Sequence, residues 1–164
     1  MPIDHLLTPA PVGEIRVEAE ACEPEHPGTL ELRAYWRSKI EPCGIPLRSA
    51  IRPQEIPRLL PNLFIAEPVD GDWRLRLIAA GVSSRFGVDL TGKMLREVFN
   101  DEAAEFLADA YDWAALYRRA RCYRGHYLGF AQAHLPAEAI HLPVLAADRE
   151  TVLVFGGVFF PDEI

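Results

Sequence analysis

Apolar and polar positions alternate strictly along Trp73-Arg-Leu-Arg-Leu77, with Trp73, Leu75 and Leu77 on one side and Arg74 and Arg76 on the other. A period of two describes a strand with one buried and one wet face. Leu63-Phe-Ile-Ala-Glu-Pro68 predicts a strand before it, and Val69-Asp-Gly71-Asp72 a hairpin turn, so residues 63–80 form an antiparallel pair. Gly81 ends the second strand, and Val82 to Phe86 is long enough for a helical turn or two. Gly87 and Gly92 then punctuate a loop before the short apolar segment Met94, Leu95, Val98 and Phe99.

A longer period governs two other stretches. Leu32, Trp36 and Ile40 recur every four residues with Tyr35 beside them, predicting a helix over 30–40 that Thr29 caps. Glu41-Pro42 stops it, because the residue before proline disfavours the helical region. Prolines at 53, 57 and 61 allow only short helical turns. Asn100 or Asp101 caps the longest helix, which runs to about Arg119 with Phe106, Leu107, Ala110, Tyr111 and Ala114 on its apolar face. Glu102 and Glu105 sit at its positive end and Arg118 and Arg119 at its negative end, as the macrodipole prefers. Three strands follow, over 122–130, 138–146 and 151–160, and the last is apolar on both faces, as a central strand would be. The predicted class is α+β: a five-stranded antiparallel sheet, small helices and one long helix over one face, and an N-terminal helix.

With 164 residues and 49% hydrophobic content, the chain suits one globular body with a substantial core. No apolar run reaches the ~18 residues that span a bilayer, and the N-terminus lacks the pattern of a secretory signal. Cys22, Cys43 and Cys122 are odd in number and scattered, which suits reduced thiols and a cytoplasmic setting. The net charge of -7 is uneven: residues 1–28 hold one base and six acids (-5), the remainder sixteen bases and eighteen acids (-2). Neither part has the positive field that nucleic-acid binding needs. The chain therefore divides into an acidic, proline-rich segment (1–28), a helical extension (29–62) and a core (63–164). Within the first, Gly13 to Ala21 alternates weakly; an edge strand and a loosely attached lead-in are equal readings.

The order of elements, the strand 73–81 with the helical turns after it, Asp89-Leu-Thr-Gly92-Lys-Met-Leu-Arg-Glu-Val-Phe99, and the three closing strands resemble the PAS fold. Tyr35-Trp36, Ile45-Pro46-Leu-Arg48, Ile51-Arg-Pro53-Gln-Glu-Ile56 and Leu60-Pro61-Asn-Leu63 are similar to a bacterial, mostly alphaproteobacterial, group of short single-PAS-domain proteins. The resemblance covers roughly 29–160; Ala80-Gly81-Val82 departs from it where that group often has a Gly-Thr pair. It implies intracellular sensing or regulation through a ligand pocket, a partner surface, or both. Haem sensors of this family carry a histidine on the long helix and flavin photosensors a cysteine on the short ones. Residues 101–119 hold no histidine and 82–99 no cysteine, so both groups are disfavoured and no cofactor is expected.

Other motifs fall short of a site. Gly87-Val-Asp-Leu-Thr-Gly92-Lys93 has phosphate-loop spacing, but Met94 supplies no hydroxyl for magnesium. Arg48-x-x-x-Arg52 with Ser84-x-x-Gly87 resembles a cyclic-di-GMP signature but has Val82 where Asp or Asn belongs. Cys122, His126, His134 and His141 match no paired metal-ligand spacing. Ser83, Ser84, Asp89, His126 and His141 are chemically capable, but no motif ties them together, and Glu138 and His141 fall on opposite faces of a strand.

The candidate pocket walls are Trp73, Leu75 and Leu77 on one strand, Phe86 and Phe99 on the small helices, and Phe106, Ala110 and Trp113 on the long helix. Tyr127, Leu142 and Phe155 join them from the closing strands. Arg118, Arg119, Arg121 and Arg124 form the one basic cluster, suited to an anion or an acidic partner. Leu32, Tyr35, Trp36 and Ile40 offer a dimer or partner surface, or else pack on the chain's own sheet. The expected function is a non-catalytic regulatory module that binds a small molecule in an internal pocket and passes its output to a regulatory protein, with a homodimer as one form. The alternative is a small cone-shaped α+β enzyme with a buried acid–base pair.

Overall fold

The computed structural model describes residues 13–130 and 134–163. Six strands form one antiparallel sheet: β1 (Glu14–Glu20), β2 (Leu63–Val69), β3 (Asp72–Ile78), β4 (Arg121–Leu128), β5 (Leu135–Leu145) and β6 (Val152–Phe159), in the spatial order β1-β4-β5-β6-β2-β3. The five expected strands are present, and β1 is the addition. It pairs antiparallel with β4, from Glu14 opposite Leu128 to Glu20 opposite Tyr123. Residues 1–12 of the acidic segment lie outside the described residues. The two rims of the sheet are therefore β3 and β1, and the β1 sequence Glu-Ile-Arg-Val-Glu-Ala-Glu carries a charge at every second position.

The helices are α1 (Pro27–Ser38), α2 (Ala80–Phe86), α3 (Leu95–Val98) and α4 (Asp101–Tyr117). Among the described residues none is long and apolar enough to cross a membrane. They cover both faces of the sheet, so the chain has two cores. On one face α2, α3 and α4 close over Trp73, Leu75, Leu135, Ala139 and Val154. On the other, α1 and the short helical turns of residues 48–62 close over Ile65, Ile140, Leu142, Val144 and Phe155. β6 lies between β5 and β2, and its alternate residues feed both cores, which is why it is apolar throughout.

Three local points either depart from the expectations or decide between them. The N-cap of α1 is His26, not Thr29: the His26 ring nitrogen Nδ1 accepts from the Gly28 N–H at 2.9 Å, with Pro27 in the first turn. Thr29 is instead wholly buried. The apolar stripe of α1 packs internally. Leu32 and Trp36 are buried, and the Trp36 indole Nε1 donates to the Pro143 carbonyl at 2.8 Å. Tyr35 is half-buried at its margin and Ile40 exposed beyond it.

The third concerns Leu77, which is 43% exposed rather than on the Trp73–Leu75 face. Ile65 pairs with Leu77 but the next residue, Ala66, pairs with Leu75, so Arg76 is an extra residue in β3. Such a bulge reverses the alternation beyond it. Leu77 turns outward and Ile78 inward against the core.

Candidate functional site

The face covered by α4 leaves two small adjoining cavities, each of 30 Å³. At about 10–15 Å³ of such volume per water, each has room for roughly two waters. The first opens between β1, β4 and α4, with Ile15, Val17, Phe106 and Tyr123 in its walls. The second lies beneath the short helices, walled by Phe64, Leu75, Val82, Phe86, Phe99 and Tyr111. Leu107, Tyr127, Ala139 and His141 belong to both.

His141 is the buried imidazole that both cavities share. It is 3% exposed, and its Nδ1 has no hydrogen-bond partner among the described residues. Its ring is surrounded by Tyr123 at 4.8 Å, Tyr111 at 4.9 Å and Phe64 at 5.9 Å between centroids. Burial, with a smaller contribution from the Arg121 charge on the neighbouring strand, holds the imidazole at about 3, well below its ordinary range. At neutral pH the ring is therefore uncharged, with one nitrogen donating and the other accepting. Burial also pushes the Tyr127 hydroxyl up to about 12 and raises that of Tyr111 further. The lining of the second cavity is thus neutral, aromatic and aliphatic, while the first adds Arg124 and His126.

The sequence-predicted walls divide. Leu75, Phe86, Phe99 and Tyr127 meet at the second cavity, and Phe106 and Tyr127 at the first. Trp73 is buried beside them, its indole donating to Asp112 at 2.8 Å and its ring against Tyr111. Ala110 is buried on α4 but lines neither cavity. Leu142 and Phe155 lie in the opposite core, under α1. β5 is buried on both sides from Ala137 onward and carries one buried polar residue on each face, Glu138 and His141, so polarity does not mark its phase, and the cavity-facing set is Ala137, Ala139 and His141 instead. That phase also confirms that Glu138 and His141 point to opposite faces.

Trp113 and the arginines stand elsewhere. Arg121 stacks on the Trp113 ring at 3.6 Å, and both line a separate cleft of 270 Å³ with Arg33, Arg37, Arg119, Cys22 and Cys122. Arg118 is not part of it; it ends α4 in a left-handed conformation (φ 52°) and donates to the Cys43 carbonyl at 3.2 Å. Arg124 is occupied by Glu138 at 3.1 Å and the Glu23 carbonyl at 2.8 Å. The four arginines of the sequence cluster are therefore two cleft residues, a helix cap and an ion-pair partner. Among the described residues no group of three or more His, Cys, Asp or Glu side chains is placed to hold a metal ion.

Residues 24–159 match the family model described as PAS domain. No curated protein matches the chain.

Proposed function

The chain belongs to the PAS domain family, and from that premise we propose that it is a sensory module whose input is a small, mainly apolar molecule carrying one hydrogen-bonding group. The observation that supports this reading is His141: a neutral imidazole in an aromatic surround, shared by two cavities, with a ring nitrogen lacking a partner. A buried polar atom without a partner is costly, and a ligand hydroxyl would remove that cost. The cavities are small, so the ligand is a molecule of few heavy atoms. Its binding acts on Leu107 of α4 and Tyr127 of β4, which both cavities touch, and the signal passes from that face to a regulatory partner.

The test uses methanol and dissolved ethane as probes, two heavy atoms each to match a cavity of about two waters, followed by the side-chain 15N resonances of His141 and by melting temperature. Methanol is expected to shift the imidazole resonances and raise the melting temperature. His141→Leu is expected to keep ethane binding and lose about tenfold in the preference for methanol, the value of one hydrogen bond. If neither probe perturbs His141 in the folded protein, the cavity is ordinary core and the reading fails.

A further inference from the structure

Cys22 and Cys122 are a hundred residues apart in sequence, and their sulfurs are 3.3 Å apart. That is contact distance for two thiols, and both are free. The backbone brings them together. Ala21 leaves β1 in a left-handed conformation (φ 50°), and the Cys22 N–H then bonds the Cys122 carbonyl at 3.1 Å. Cys22 lies just past the end of β1, and this backbone bond holds it against β4, where the two sulfurs meet. Cys122 is buried and Cys22 is half-buried.

Both cysteines line the 270 Å³ cleft that holds Arg33, Arg37, Arg119 and Arg121. Arg33 is paired with Glu23 at 2.9 Å. Arg37, Arg119 and Arg121 make no ion pair with a described carboxylate. A thiol pair at the wall of a positively charged cleft is placed to meet an anionic thiol reagent.

We propose that Cys22 and Cys122 form a reversible disulfide by exchange with an anionic low-molecular-weight disulfide bound in the arginine-lined cleft. Cys22, the more accessible, loses its proton and attacks one sulfur of the small disulfide. That S–S bond breaks, one small thiol leaves, and a mixed disulfide remains on Cys22. Cys122 then gives up its proton and attacks the Cys22 sulfur, forming the Cys22–Cys122 bond and releasing the second small thiol. Two protein thiols are oxidised by two electrons and one disulfide is reduced to two thiols. The order follows from access: Cys22 is half-buried and Cys122 buried, and that burial also raises the Cys122 thiol. The product tethers the connector between β1 and α1 to β4, and so couples the rim of the sheet to the helix on its opposite face.

The test is made on the full chain carrying Cys43→Ser, so that the exposed third thiol takes no part. Oxidised glutathione is expected to remove two alkylatable thiols and two hydrogen masses, with dithiothreitol restoring both. Adding Cys122→Ser is expected to trap one glutathionyl group on Cys22. Arg37→Glu in that trapping variant is expected to slow glutathionylation severalfold while leaving reaction with neutral hydroxyethyl disulfide unchanged. Survival of both thiols, or a stable mixed disulfide when Cys122 is present, overturns the exchange. Equal rates with and without Arg37 overturn the role of the cleft.

Discussion

Arg124 and Glu138 stand directly opposite each other on β4 and β5, with Arg124 Nε donating to Glu138 Oε2 at 3.1 Å. The same carboxylate accepts from the backbone N–H groups of Glu25 and His26, at 3.0–3.2 Å, just before α1 begins. One buried side chain thus fixes where the chain leaves the sheet and enters the helix on its other face. Burial alone would push the Glu138 carboxyl up, but the Thr29 hydroxyl, the two N–H groups and Arg124 together hold it below the ordinary carboxylate range.

Glu138→Gln is expected to cost about 2 kcal/mol, the penalty for weakening charge-assisted bonds to buried donors. Chemical denaturation measures it. Because the folded-state value is depressed, the stabilisation is fully present above about pH 4.5 and is lost as pH falls through the lower, folded-state value. The variant is expected to lose that part of the acid dependence.

His141 gives a second and separable acid sensitivity. Its folded value near 3 lies below the ordinary 6.5, so the unfolded chain takes up the proton first. Stability is complete above about pH 6.5 and declines toward pH 3, by up to about 1.4 kcal/mol per unit. Denaturation midpoints measured from pH 7 to 4 are expected to fall in the wild type. His141→Leu is expected to flatten the slope between pH 6.5 and 5, where Glu138 does not titrate. An unchanged slope would place the acid sensitivity elsewhere.

Gly156, opposite both His141 and Phe64 in the ladder, admits no side chain. A Cβ there would press on the Ile140 carbonyl oxygen and meet the Phe64 ring at 2.7 Å. Gly156→Ala is expected to destabilise by about 1–3 kcal/mol, as overpacking a close-packed core does, and to displace Phe64 from the His141 ring. Thermal melting together with the His141 proton shifts reads both effects.

The sequence carried the hairpin of β2 and β3, the length of α4 with its Asn100 cap, and the central place of β6. In each of these a clear period or cap stood alone. It was ambiguous where two periods fit equally. β5 is buried on both sides with a polar residue on each, so the periodicity did not separate the Leu142 face from the His141 face until β4 and β6 fixed the phase. The bulge at Arg76, which sends Leu77 outward, depends on how β2 pairs and has no local residue signature. The weak alternation of 13–21 became a strand because β4 offered it a partner, a contact more than a hundred residues away. The cleft is hidden for the same reason: Arg33 and Arg37 come from α1, Arg119 and Arg121 from near the start of β4.

Were β4 the border of the platform, its backbone amides and carbonyls would offer an adhesive template to any extended segment of another molecule. β1 occupies that template and replaces it with Glu14, Arg16, Glu18 and Glu20, so that two copies brought side by side would juxtapose mostly like charges. The acidic residues of the first strand therefore act as a guard against fibrillar stacking, and a version lacking them would be the one to precipitate.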